Sequence, residues 1–380
     1  MKTVYLDNNA TTALVPEAFE AMRPFHTEAY GNPSSGHRQG ARPAAALRQA
    51  RRTVARFLGC EDGEVVFTGS GTEADNLAIY GVVEGEPRKR HFVTTAVEHP
   101  AVLKPLERLA AMGHEVTVLG VDRDGALDLD ELRAAIRDDT ALVTVMMANN
   151  ETGVLFPIAE VAAIVRERGV PFHTDAVQAI GKVPFDMSEI GADMSALSAH
   201  KFHGPKGVGA LVLRGRAPFR PLLLGGSQER GHRPGTENVA GIAALAAACA
   251  YAKTHLDGYG TRVRALRDRF EQAILSAVPD TYAHGAARDR LPNTSNICFR
   301  GVDAQAMLLL LDEVGICATA GSACKSGAGM PSPVLAAMGV PREEAAASLR
   351  FSLSGLTTKD EIDYALGRIP PIVARMRERA

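Results

Sequence analysis

Between Glu64 and Leu213 short apolar and β-branched runs alternate with helical patterns, and no other feature of this 380-residue sequence restricts its fold as much. A strand, a helix and a second strand in succession must cross over, so repeated units of this kind build a mainly parallel sheet packed between helices. The fold class is therefore α/β. Strands are predicted at Val65–Thr68, His91–Thr95, Glu115–Leu119, 141–147, 171–175, Met194–Ser198 and Gly209–Leu213. The clearest helix is 158–168, where Ile158, Val161, Ala162 and Val165 share one face and Gly169 stops it.

Past the Gly-rich stretch 225–241, two long helical patterns are predicted at 242–255 and 261–278. Shorter strands then follow at 295–300, 316–319 and 349–353, with helices at Ala304–Glu313 and 359–366. This change of rhythm divides the chain into a large domain, 15–255, and a smaller α+β domain formed by 1–14 and 256–380.

With 42 basic against 44 acidic side chains, no basic patch invites a nucleic acid or a membrane surface. The apolar run 240–252 is shorter than the ~20 residues that cross a bilayer and reads as a buried helix. The first residues meet a charge within seven positions and lack the apolar stretch of a signal peptide, so a cytoplasmic location is expected. Cys60, Cys249, Cys298, Cys317 and Cys324 are odd in number and never spaced C-x-x-C, which suggests neither a disulfide framework nor a structural metal site.

Several predicted strands end in polar groups, and α/β sheets bind ligands at those carboxyl ends. Lys201, in the run Ser198-Ala199-His200-Lys201, is a candidate amine for covalent attachment of a carbonyl cofactor, although a lysine in a Gly/Pro-rich loop is by itself only a solvated side chain. Asp175 ends another strand, with Gln178 three residues on. Pyridoxal phosphate (PLP) needs a carboxylate at its pyridine nitrogen, which suits Asp175, and Gln178 could donate to its ring oxygen. Alone, Asp175 reads equally as a helix N-cap. The Gly69-Ser70-Gly71-Thr72 turn before a helix suits a phosphate. His99 could stack on a ring and move protons. Asn150 could bind the ring oxygen or a substrate carboxylate. It is the convergence of five such groups on one sheet edge that outweighs the bland reading of each.

Together these motifs resemble the NifS/IscS-type cysteine desulfurases, class V of the fold-type I PLP enzymes, over nearly the whole chain. Tyr5-Leu6-Asp7-Asn8-Asn9-Ala10-Thr11-Thr12 looks like their N-terminal signature, and Gly31-Asn32-Pro33-Ser34-Ser35 with His37 like the segment that follows. The resemblance implies a mainly parallel seven-stranded sheet with helices on both faces. It gives Lys201 as the PLP-bearing lysine, Asp175 at the ring nitrogen, Gln178 and Asn150 at the ring oxygen, His99 stacked on the ring, and Gly71, Thr72, Ser198 and His200 at the phosphate. Thr236, in Arg233-Pro234-Gly235-Thr236, resembles a residue that reaches the partner subunit's phosphate, which implies a homodimer.

Four of the cysteines sit in apolar patterns or beside a helix-ending glycine, which makes thiols inert. Cys324 alone lies in a small-residue loop, beside Lys325, which could raise its thiolate fraction. The family's catalytic cysteine occupies this loop. Arg350 is the candidate fork for the substrate carboxylate. The implied reaction takes L-cysteine to L-alanine. Lys201 moves the α-proton, Cys324 attacks the substrate's sulfur and keeps it as a persulfide, and His99 is a plausible proton donor. Sulfur would pass to an acceptor protein such as an iron-sulfur scaffold, and transient contact of Cys324 with an iron-sulfur cluster is the one metal contact implied. Housekeeping relatives dock their scaffold through a C-terminal extension not seen here, which leaves the acceptor open. Two rival readings are a selenocysteine lyase or other class V enzyme, and a PLP-free sulfur carrier on the same fold.

Overall fold

The computed structural model describes residues 2–215, 217–321 and 332–378. Among the described residues twelve strands are formed: β1 Val4–Tyr5, β2 Val65–Thr68, β3 His91–Thr95, β4 Glu115–Leu119, β5 Thr140–Thr144, β6 Phe172–Asp175, β7 Met194–Ser198, β8 Gly209–Leu213, β9 Thr281–Ala283, β10 Thr294–Phe299, β11 Ile316–Cys317 and β12 Ser348–Ser352. Seven of them make the large sheet, in the order β2-β8-β7-β6-β5-β3-β4. Strands β3 to β7 are parallel. Strand β8 runs against both of its neighbours, so β2 points the same way as β7. The carboxyl ends of β2, β3, β5, β6 and β7 therefore share one edge.

Alternation along each strand sorts side chains onto two covered faces. Val65, Phe67, Val93, Val143, Leu197 and Val212 enter one apolar cluster with residues of helices Arg38–Leu58, Ile158–Glu167 and Val239–Gly258. Their strand neighbours Val66, Phe92, Leu142, Ala196 and Leu211 enter another with helices Gly71–Gly85 and Pro100–Ala111. A further core joins Val4 and Leu6 to residues between Tyr259 and Val373 around the antiparallel sheet β12-β10-β9 and the β1-β11 pair. Val334, Leu335, Met338 and Val340 pack instead into the first cluster.

Three expectations are corrected. Strand β5 stops at Thr144 rather than 147, because the Met146 amide turns away to Glu98 Oε1 at 2.8 Å. The helices expected at 242–255 and 261–278 are continuous, Val239–Gly258 passing through a π-turn, Tyr259–Val263, into Arg264–Ala277. Buried Tyr259 and Val263 hold that turn against the core. The helix expected to end at 366 runs from Lys359 to Arg377 through Pro370 and Pro371, since Ile369, Ile372 and Val373 continue its buried stripe.

Candidate active site

The shared sheet edge opens on a cavity of about 230 Å³. At one end lies the start of helix Gly71–Gly85, and Ser70 caps it by accepting from the Glu73 amide at 3.0 Å. Gly71, Thr72, Ser198 and His200 all line this end. A Cβ on Gly71 would come within 2.7 Å of Val177 Cγ2 and 3.3 Å of Ser198 Cβ, so the position admits glycine alone without rearrangement. His200 Nδ1 pairs with Thr11 Oγ1 at 3.1 Å, and its pKa is pushed down to about 4, chiefly by burial and then by Lys201.

Deeper in, Asp175 ends β6 and is 6% exposed. Its Oδ1 accepts from the Val177 amide at 2.9 Å, a turn rather than the helix N-cap that it might have formed, since no helix follows. Burial pushes its carboxyl up, while His99 and Lys201 pull it down. Behind it stands Asp75, 1% exposed, raised well above the usual range by burial and by the charges of Asp175 and Glu98. Asp75 thus favours its neutral form, and Asp175, with His99 and Lys201 beside it, is left to carry the charge.

His99 caps helix Pro100–Ala111, its Nδ1 accepting from the Ala101 amide at 3.1 Å. That bond leaves the proton of the neutral ring on Nε2. Burial lowers its pKa, with Lys201 adding to the shift and Asp175 opposing it.

Lys201, on the 3₁₀ turn after β7, gives its amine to the main-chain oxygens of Asn9 at 2.7 Å and Ala10 at 2.9 Å. Gln178 Nε2 shares the Asn9 oxygen at 3.0 Å. Arg350, expected to face either a substrate or solvent, is 2% exposed on the cavity wall. Its guanidinium holds Asp7 Oδ1 at 2.6 Å and the Asn150 main-chain oxygen at 2.8 Å. Lys201, Asp175, Gln178, Asn150, His99, Gly71, Thr72, Ser198, His200 and Arg350 thus share one cavity.

Thr236, expected at the partner subunit's phosphate, is exposed before helix Val239–Gly258 and does not line this cavity. Cys324 and its neighbour Lys325 lie outside the described residues. Two contributors escaped the sequence reading. Asn9 was noted only within a motif, yet its side chain holds Asn150 and Thr294, and Ser352 Oγ accepts from its amide. Lys182 is 1% exposed and bonds Gln178. Its spacing of four residues from Gln178 was the one available sign.

The lining fits PLP: a helix terminus and small side chains for the phosphate, a buried carboxylate for a protonated ring nitrogen, and an amine between them. Residues 4–365 match the family model described as aminotransferase class-V. NifS, the cysteine desulfurase of Azotobacter vinelandii, is 50% identical over 378 residues, 99% of this chain and 94% of that protein. A solved NifS-like protein superposes with a TM-score of 0.92 at 37% identity, covering 98% of this chain and all of the other. A structure of SspA in complex with cysteine superposes with a TM-score of 0.83 at 32% identity, over 94% of this chain and all of SspA. Fold and site therefore define a PLP-dependent enzyme of the class V aminotransferases. Within that class the chain belongs to the NifS-type cysteine desulfurases.

Proposed function

We propose that this enzyme removes sulfur from L-cysteine, releases L-alanine and holds the sulfur as a persulfide on Cys324. The observation that carries this reading is the single cavity shared by Lys201, Asp175, His99 and Arg350. When bound, PLP supplies an electron sink for the substrate's α-carbon.

Each chain residue then has a defined task. Asp175 keeps a ring nitrogen protonated, and Gly71, Thr72, Ser198 and His200 hold the phosphate. Arg350 fixes the substrate carboxylate, and Asn150 lies beside it. The Lys201 amine takes the α-proton, and His99 Nε2 returns a proton to the product carbon. The Cys324 thiolate attacks the substrate's sulfur, the S–C bond breaks, and the electron pair stays on carbon until it is protonated. Burial supports the choice of cysteine. The four described thiols are all raised, Cys60 to about 12 and Cys249 further, with Cys298 and Cys317 shifted the same way. The solved relative in complex with cysteine favours the same substrate.

A homodimer is part of the reading. Thr236 is exposed and outside its own cavity, and Leu222, Leu223 and Leu224 nearby are 43%, 46% and 88% exposed, an apolar run that a second subunit would cover. The sulfur acceptor is a protein such as an iron-sulfur scaffold, and the free thiols of the four described cysteines suit a cytoplasmic setting. The deciding experiment is Cys324→Ser. The variant should retain the bound cofactor's absorbance and release no alanine from cysteine. Full turnover would reject the assignment.

A further inference from the structure

Lys182 is 1% exposed, and among the described residues no carboxylate lies within bonding distance of its amine. Among the same residues Nζ has two partners: Gln178 Oε1 at 2.7 Å and Asn9 Oδ1 at 3.1 Å. A neutral amine carries two N–H bonds, so two acceptors complete it, whereas an ammonium would bury a third hydrogen without one.

Both acceptors are fixed by the groups around them. Asn9 Nδ2 donates to the Asn150 main-chain oxygen at 3.1 Å, which can only accept, so Oδ1 must be the end that faces Lys182. Gln178 Nε2 in turn donates to the Asn9 main-chain oxygen at 3.0 Å. Lys182 is the donor found on Gln178 Oε1 among the described residues. Turning the Gln178 amide over would set its N–H end against the Lys182 N–H and its oxygen against the Asn9 main-chain oxygen, so Lys182 is one of two groups that penalise a turned amide.

We propose that Lys182 is a positioning residue of this active site, an uncharged amine that holds the Gln178 amide with its N–H end toward the cofactor's ring oxygen. The charged groups around it agree with an uncharged state. Burial acts first, then Lys201 and Arg350, to lower its pKa well below the usual lysine range, and the neighbouring histidines His200 and His203 are themselves pushed toward neutrality. The inference rests on the proposed function only in taking Gln178 as a contact of PLP.

The test is a double-mutant cycle on the cofactor-loaded enzyme, using Lys182→Met, Gln178→Leu and the pair. The readout is the pH midpoint at which the bound cofactor's visible absorbance changes. Loss of an N–H donor leaves more negative charge on the ring oxygen, which favours a retained proton nearby. The midpoint of Lys182→Met should therefore rise by about half a unit or more. Because Lys182 acts through Gln178, the double variant should match Gln178→Leu alone.

An unmoved midpoint in Lys182→Met with a lowered melting temperature would make the residue merely structural and overturn the proposal, as would shifts that add in the double variant. If Lys182→Met fails to fold, lysine-labelled wild-type holoenzyme decides by NMR. Besides Lys201, which carries the cofactor, one further lysine side chain should stay uncharged at neutral pH, and ordinary ammonium behaviour for every lysine but Lys201 would overturn the inference. A wild-type chain that bound no PLP and made no alanine would remove the parent reading and this one together. Normal uptake and turnover with an unmoved midpoint removes this one alone.

Discussion

Arg350 Nη2 and Asp7 Oδ1 stand 2.6 Å apart at the wall of the cavity, so the guanidinium proposed to take a substrate carboxylate already has an anionic partner. A second nitrogen holds the Asn150 carbonyl at 2.8 Å, and Nε is buried with no hydrogen-bond partner among the described residues. The fork is aimed from two sides. Lysine in its place would keep the charge and lose the planar geometry. Arg350→Lys should raise KM for cysteine by about tenfold or more, the equivalent of one charged hydrogen bond, while bound cofactor stays at the wild-type level. Steady-state kinetics beside the absorbance spectrum checks both halves.

Asp175 is the buried carboxylate proposed to pair with the cofactor's ring nitrogen. Asp175→Asn keeps the acceptor for the Val177 amide and removes the charge. Turnover should fall by at least about a hundredfold, in the range of other lost electrostatic contacts at reacting centres. Single-turnover alanine formation would show whether the loss lies in chemistry.

Gly71→Ala places a methyl group 2.7 Å from Val177 Cγ2. Relief requires movement of Val177 or of the helix start, at a cost of about 1–3 kcal/mol. The variant should fold and bind PLP about tenfold or more weakly, which equilibrium dialysis of the cofactor would measure. Undiminished affinity would mean that the phosphate sits elsewhere.

Glu98 provides a pH signature for stability. Burial raises its pKa from 4.5 to about 8, against the pull of the Met146 amide and Thr95 hydroxyl. The folded chain thus prefers the protonated acid. That stabilisation is complete below pH 4.5 and lost as pH climbs through about 8. Glu98→Gln keeps an oxygen for both donors and cannot ionise. Its Tm should match wild type in acid and exceed it by about 3 °C or more in mild alkali. Calorimetry at both pH values tests this, and a gain confined to acid would contradict the sign.

The sequence revealed the strands because β2, β3, β5 and β8 alternate between two apolar faces with β-branched residues, leaving few other arrangements. Lys201, Asp175 and His99 were legible because each follows a strand at the edge where such sheets bind ligands. Asn9 and Lys182 were not. The work of Asn9 depends on partners at Asn150, Thr294 and Ser352, which no local pattern connects. A lysine is ordinarily read as solvated, and only tertiary packing removes Lys182 from water. The run through Pro370 and Pro371 was hidden for a related reason, since proline signals a stop that buried neighbours can override.

The bond from the Asn9 amide to Ser352 Oγ, at 2.9 Å, joins positions 343 residues apart. The loop at Asn9 must therefore wait for Ser352 to be made before its carbonyl is held ready for the lysine amine. A chain interrupted anywhere between the two has no finished pocket, so the capacity to liberate reactive sulfur arises only after both have been synthesised.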